Sequence, residues 1–329
     1  MIVWVDDIIT VANNKTEIDR AEAEMKSKYT VKVIGEPTML LGIHITRDRT
    51  KRMIKLSQSH YIRQMLKDFG MENANPISMP MDPNVALQEN QESGGDSCAS
   101  QAYATAIGKL LYAAHATRPD ILYAVVTLAQ FTKNPSPVHW TAVKRVYRYL
   151  KGTMNFVLTY GGRDQSWLPE LSQYVDADGG TNPHRKSISG YVFTIAGRAV
   201  AWSSKKQSTT ALSTAEAEYV AATHATKQVL WHRYLFEELG FEQPEKSILW
   251  SDNQAAIAIS HNPEFHARTK HIDINLHFLR DHVEAGTLEL KHIPSKENLA
   301  DIFTKGLSRQ LHQDLTSKLG LLHVQGGVL

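Results

Sequence analysis

One helical segment that turns an acid inward constrains this chain more than any other feature. Residues 213–239 read as a single long helix: Ser213 with Glu216 three positions on makes a capping box, and Gly240 supplies the stop. Positions 218, 221, 222, 225 and 229 share one face of that helix and hold Glu, Ala, Ala, Ala and Val. Glu218 therefore faces the interior. A carboxylate on an apolar face costs several kcal/mol unless a cation or a close basic partner compensates it. Glu216 needs no such partner, because the cap accounts for it.

The elements around this helix follow an informative order. Residues 173–178, 190–196 and 199–204 read as three short strands, with Gly197-Arg198 as the turn between the second and third. After the long helix come a strand at 248–252, a short helix at 254–260, a helix at 273–284, a strand at 287–293 and a closing helix at 297–305. This order describes an α/β unit, a mixed five-stranded sheet covered by helices.

Four more acids fall at strand ends or helix starts. Asp176 and Asp178 are two apart on the first strand and point to the same side, where like charges repel. Asp178, at the strand end, can escape to solvent or serve a turn, so Asp176 is the stronger candidate. Asp252 ends the fourth strand, with helix capping as the competing account, and Asp301 lies early in the last helix, where the dipole would also favour it. Asp176, Glu218, Asp252 and Asp301 come from a first strand, a first helix, a fourth strand end and a last helix, and the expectation is that they meet at one edge of the sheet. Such a cluster suits a pair of Mg²⁺ ions, with Mn²⁺ as a substitute, clamping the oxygens of a phosphodiester during hydrolysis.

Composition narrows the partners. The chain has 329 residues, 42% hydrophobic and 21% charged, with a net charge of +2 that hides a local excess. From 121 to 163 there is no acid, while Lys133, Lys144, Arg145, Arg148, Lys151 and Arg163 are basic. Within 138–151, Trp140, Val143, Tyr147 and Leu150 recur at helical spacing with Lys144, Arg148 and Lys151 on a neighbouring stripe. That stripe reads equally as a solvated face or as a track for a nucleic-acid backbone. Cys98 is the single cysteine, so no internal disulfide is available, and no apolar run reaches the length of a membrane span. The expectation is an intracellular protein with no membrane partner and no nucleotide cofactor, its compartment open between cytoplasm and nucleus. Polar stretches at 88–100 and 159–168 suggest a division into 1–87, 88–167, 168–310 and a tail at 311–329.

The blocks Tyr174-Val175-Asp176-Ala177-Asp178, Arg185-Lys186-Ser187 with Gly190-Tyr191, Ser213 to Tyr219, Ser251-Asp252-Asn253, Arg268 to Asp273 and Ala300 to Lys305 resemble, in order and spacing, the ribonuclease H of copia-type retrotransposons. The resemblance implies that Asp176, Glu218, Asp252 and Asp301 are catalytic and hold two Mg²⁺ ions that act on the RNA strand of an RNA/DNA hybrid. It also implies that His292 assists proton transfer or product release, the alternative being a histidine that merely ends a strand. Ser187, Ser189 and Asn253 are candidates for contact with RNA 2′-hydroxyls, and Lys144 and Arg148 for contact with the backbone.

Val3-Trp4-Val5-Asp6-Asp7 resembles the hairpin of reverse transcriptases whose paired aspartates hold polymerase metals, with Trp4 in place of the usual tyrosine. Blocks at 40–43, 56–62, 69–71, 108–112, 118–120 and 139–140 continue that resemblance through a partial palm and thumb and a helical connection. The family places the fingers and a third catalytic aspartate before this hairpin. The expectation is therefore a remnant metal pair at Asp6 and Asp7 and no polymerase activity from this chain alone. Two other readings compete: a noncatalytic nucleic-acid-binding relic, and a fragment of a polyprotein that polymerises DNA when whole.

Overall fold

The computed structural model describes residues 1–91, 97–162, 171–180, 186–261 and 273–324. It divides into two compact units, Met1–Leu40 and Leu41–Leu329. In the first, β1 (Ile2–Trp4) and β2 (Asp7–Ile9) form an antiparallel hairpin that pairs Trp4 with Asp7. Ile2, Val3, Trp4 and Val5 are exposed. Helix α1 (Lys15–Lys28) is capped by the Asn14 side chain, which accepts from Glu17 N, and β3 (Met39–Leu40) closes the unit.

The second unit holds two sheets and the helices between them. Its elements are β4 (Ile43–Asp48), β5 (Met53–Ser57), α2 (Ser59–Asp68), α3 (Ser97–Ala116), α4 (Leu122–Ala129), α5 (Pro137–Gly152) and β6 (Phe156–Gly161). They are followed by β7 (Leu171–Ala177), β8 (Ile188–Ile195), β9 (Arg198–Lys206), α6 (Thr214–Glu238), β10 (Ser247–Ser251), α7 (Gln254–His261), α8 (Asp273–Glu284), β11 (Leu288–His292), α9 (Arg309–Lys318) and β12 (Leu321–His323).

The five-stranded mixed sheet expected from the sequence is present, in the order β11-β10-β7-β8-β9. Strands β7, β8 and β9 form an antiparallel meander, and β10 runs parallel to both β7 and β11. The β8–β9 turn sits one residue earlier than expected: Ala196 and Gly197 both adopt positive φ, and Ile195 pairs with Arg198. Two consecutive positive-φ residues define a primed turn, whose twist matches that of the strands it joins.

Alternation along the strands builds two cores on opposite faces of this sheet. Val175, Phe193 and Leu249 pack with Tyr219, Ala221, Ala222, Ala225 and Val229 of α6. Val192 and Ala199 join instead a core made by α2–α5 together with Ile302, Phe303, Leu315 and Leu319. The helical middle and the sheet are thus one packed body. Trp202 Nε1 donates to Ala114 O at 2.9 Å and Tyr160 OH to Ala199 O at 2.7 Å, tying β9 to α3 and to β6. A second sheet, with β6 pairing antiparallel to β5 and to β12 and β5 to β4, has no counterpart in the sequence reading. Residues assigned to a tail form α9 and β12.

Helix α5 matches the expected amphipathic segment. Ser136 and His139 make its capping box, Val143, Tyr147 and Leu150 are buried, and Lys144 is exposed. The closing helix over 297–305 does not form. Two 3-10 turns, Ser295–Glu297 and Leu299–Phe303, stand there instead, because Asn298 interrupts them. Its Oδ1 accepts from Ala300 N while its Nδ2 donates to Val175 O at 2.9 Å, so the side chain competes with helical bonding and fastens the turn to β7. No helix among the described residues is long and apolar enough to cross a membrane.

Candidate metal centre

Three different elements bring acids to the end of the sheet. Asp176 lies near the end of β7, Glu218 in the first turns of α6, and Asp252 directly after β10. One carboxylate oxygen of each lies within 4.8 Å of the others. Asp176 and Glu218 are buried and Asp252 is half-buried. A Mg²⁺ ion with ligands at about 2.1 Å spans opposite oxygens about 4.2 Å apart, so small carboxylate rotations would complete coordination.

Each acid is held from outside the cluster. Ser213 Oγ accepts from Glu216 N at 3.2 Å and Glu216 Oε2 accepts from Leu212 N at 2.8 Å, which fixes the start of α6 and with it Glu218. The helix stop expected at Gly240 is present and takes the form of a Schellman end, with Phe241 N donating to Phe236 O and Gly240 at φ +80°. Thr304 Oγ1 donates to Asp176 Oδ2, and Ser295 Oγ donates to Asp252 Oδ2. The cap of α7 is Asn253, whose Oδ1 accepts from Ala256 N, so capping does not account for Asp252. Gly190, paired with Asp176, permits the approach of the 3-10 turn that carries Asp301: a Cβ at 190 would come 2.6 Å from Thr304 Cγ2 and 2.8 Å from Phe303 Cβ.

Glu218 carries the diagnostic strain. Its Oε2 is buried without a hydrogen-bond partner among the described residues, an orphaned acceptor that a cation would satisfy. Burial, and then the charges of Asp176 and Asp252, push its carboxyl up to about 9. Burial and Asp176 raise Asp301 to about 7, against the pull of Lys305. Burial also raises Asp176. The donor set is all oxygen, which suits Mg²⁺ or Mn²⁺.

These shifts have a sign. The folded chain holds protons on Glu218 and Asp301 that the unfolded chain has released, so stability present at lower pH is lost as pH rises toward the folded-state values. Buried histidines such as His232 and His312, held below their ordinary value by burial, act oppositely only below their unfolded range near 6.5. In chelator, the urea midpoint is expected to fall between about pH 7 and pH 9. Saturating Mg²⁺ is expected to flatten that fall. A midpoint in chelator that rises over this range contradicts the assignment.

The remaining candidates are more scattered. His292 is exposed at the end of β11, in register with Ser251 beside Asp252. Asp178 does not reach solvent: it is buried beyond the end of β7, and its carboxylate accepts from Ile188 N, closing the β7–β8 connection. Ser187 and Ser189 are buried, and Ser189 Oγ accepts from Gln207 Nε2 at 2.9 Å. Arg148 Nε donates to Asn75 O at 2.7 Å, leaving exposed Lys144 as the freer cation of that pair. Asp6 and Asp7 are exposed on the hairpin of the first unit. The block at 268–272 lies outside the described residues. Thr304, Ser295 and Asn298 are not singled out by the sequence, because their bonds to Asp176, Asp252 and Val175 join residues far apart in the chain.

Comparison with known proteins adds relatives to this geometry. The family described as "Reverse transcriptase (RNA-dependent DNA polymerase)" matches residues 1–83. The "Retrovirus-related Pol polyprotein from transposon TNT 1-94" of Nicotiana tabacum is 40% identical over 94% of this chain, which spans 23% of that relative's length. A transposon Ty5-1 protein of Saccharomyces cerevisiae is 31% identical over 69% of this chain and 72% of its own length. Among solved structures, that of LC11-RNase H1 in complex with RNA/DNA hybrid aligns with 41% of this chain and 94% of its own, at 17% identity and a TM-score of 0.31.

Proposed function

This chain belongs to the Pol polyprotein family of copia-type retrotransposons, and from that premise we propose that its segment 168–310 is a ribonuclease H that hydrolyses the RNA strand of RNA/DNA hybrids. The observation that carries the proposal is the three-element carboxylate cluster, in which Glu218 keeps one buried oxygen without a hydrogen-bond partner among the described residues. Divalent cations bound there would activate a water and neutralise charge developing on the phosphate.

The chain's own residues do the positioning. Asp176, Glu218 and Asp252 would hold one ion, and Asp176 with Asp301 a second. Thr304 and Ser295 keep the Asp176 and Asp252 oxygens aimed, since each hydroxyl donates to one carboxylate oxygen and leaves the other available. His292, exposed at the same end of the sheet, is placed to take or return a proton at the mouth of the site. Lys144 on α5 would meet the backbone of the bound nucleic acid, with Arg148 in support. Because Ser187 and Ser189 are buried and Asn253 serves as a cap, hybrid selectivity would draw on them chiefly through the backbone they shape. A hybrid substrate implies an intracellular site of action.

The test is incubation of the purified chain with hybrid labelled on either strand. RNA shortening in Mg²⁺ with the DNA intact, lost in chelator and restored by Mn²⁺, is the expected result. RNA cleavage that persists in chelator defeats the reading.

A further inference from the structure

The four carboxylates do not share one environment. Asp176, Glu218 and Asp252 direct oxygens toward a common point. Asp301 instead meets an ammonium: Lys305 Nζ lies 2.9 Å from Asp301 Oδ1 and 3.5 Å from Asp176 Oδ2. The lysine is fixed from two sides, because it follows Thr304, whose hydroxyl donates to the same Asp176 oxygen, and its own N–H donates to Asp301 O. Its side chain is 40% exposed while both partners are buried, so the ammonium sits at the mouth of the cluster with room to withdraw.

An ammonium supplies positive charge and three donors, but unlike a divalent ion it has no vacant orbital to accept a water's lone pair and so cannot turn that water into a hydroxide. Where it occupies the oxygens of Asp176 and Asp301, a divalent ion must displace it before using them. A tethered group competes at the high effective concentration set by its short tether.

We propose that Lys305 is a built-in competitor at the Asp176–Asp301 position, so that the chain takes one divalent cation readily and admits a second only by displacing this ammonium. The proposal rests on the cation-site reading above and adds to it an order of occupancy. A chain built this way binds its first ion at low cation concentration and its second only at a higher one. Lys305 is on this account a positioning residue, acting through the two carboxylates it neutralises.

The experiment is a Mn²⁺ titration of the full chain in which electron paramagnetic resonance counts the free ion. Wild type is expected to bind one ion and then, more weakly, a second. Lys305→Met and Lys305→Gln are expected to tighten the second ion by about tenfold, because the ammonium no longer competes for the two carboxylates it pairs with. Lys305→Arg, which keeps the cation, is expected to follow wild type. Circular dichroism confirms that each variant is folded, and the two neutral variants check one another. Neutral variants that superimpose on wild type, or that lose the second ion, overturn the competitor role while leaving the first site standing. A wild type that binds no Mn²⁺ overturns the cation site itself, and the inference with it.

Discussion

Asp120→Ala should destabilise the chain by about 3–5 kcal/mol, the cost of breaking a buried ion pair by removing one partner. Asp120 and Arg118 are both fully buried and form two parallel bonds, Nη2 to Oδ2 at 2.7 Å and Nε to Oδ1 at 2.9 Å. Tyr149 OH donates to the same Oδ2 at 2.7 Å, Arg118 Nη1 donates to Thr153 O, and His312 Nε2 lies 3.0 Å from Asp120 O. The network therefore joins the turn before α4, the end of α5, and α9. Burial alone would raise the Asp120 carboxyl, but Arg118 beside it holds it below the ordinary carboxylate value. Removing the carboxylate leaves a guanidinium in the interior with only Thr153 to receive it. A urea melt should show the loss as a lower midpoint, and a thermal melt as a melting temperature lower by on the order of 10 °C. A change under about 1 kcal/mol would mean that the network is held by its neighbours and contributes little.

The sequence exposed this pair only as one block of a resemblance, Arg118-Pro119-Asp120. Nothing local says that an arginine two residues from an aspartate is buried, because its burial depends on α5 and α9, more than thirty and nearly two hundred residues away. The same limit hid the second sheet. Strand β12 is three residues long and has no turn partner, and its pairing with Phe156, Val157 and Leu158 exists only in three dimensions. Amphipathic periods, by contrast, were legible. Helix α6 begins and ends where Ser213 and Gly240 place it, and α5 carries the expected buried face.

Legibility within the cluster followed the same division. Glu218 could be separated from Glu216 by helix geometry alone, since one faces Ala221, Ala222 and Ala225 and the other completes a cap. Asp252 could not be separated from a capping role until Asn253 was seen to fill it. Asp301 lies on a 3-10 turn where the sequence predicts a helix that the Asn298 side chain prevents, and the turn brings it beside Lys305, outside the group formed by Asp176, Glu218 and Asp252. The supporting hydroxyls of Thr304 and Ser295 are contacts across the fold, and spacing along the chain carries no sign of them.

Asp176→Asn should lower hybrid cleavage by more than about 100-fold, because changes that only touch a metal ligand's outer partners already cost about 10–100-fold. The amide keeps the volume and one oxygen, so Thr304 retains an acceptor, but it removes the charge that both proposed cation positions share. The folded state should not suffer. Asp176 is buried beside Glu218 and Asp252, burial raises its carboxyl, and a neutral isostere relieves that repulsion. Activity and stability are therefore expected to separate. The direct measurement is single-turnover cleavage of an RNA-labelled hybrid in Mg²⁺ by wild type and Asp176→Asn, with a thermal melt of each. The account predicts cleavage by wild type, its loss by more than about 100-fold in the variant, and a melting temperature no lower than wild type. Equal cleavage by a folded variant would contradict it.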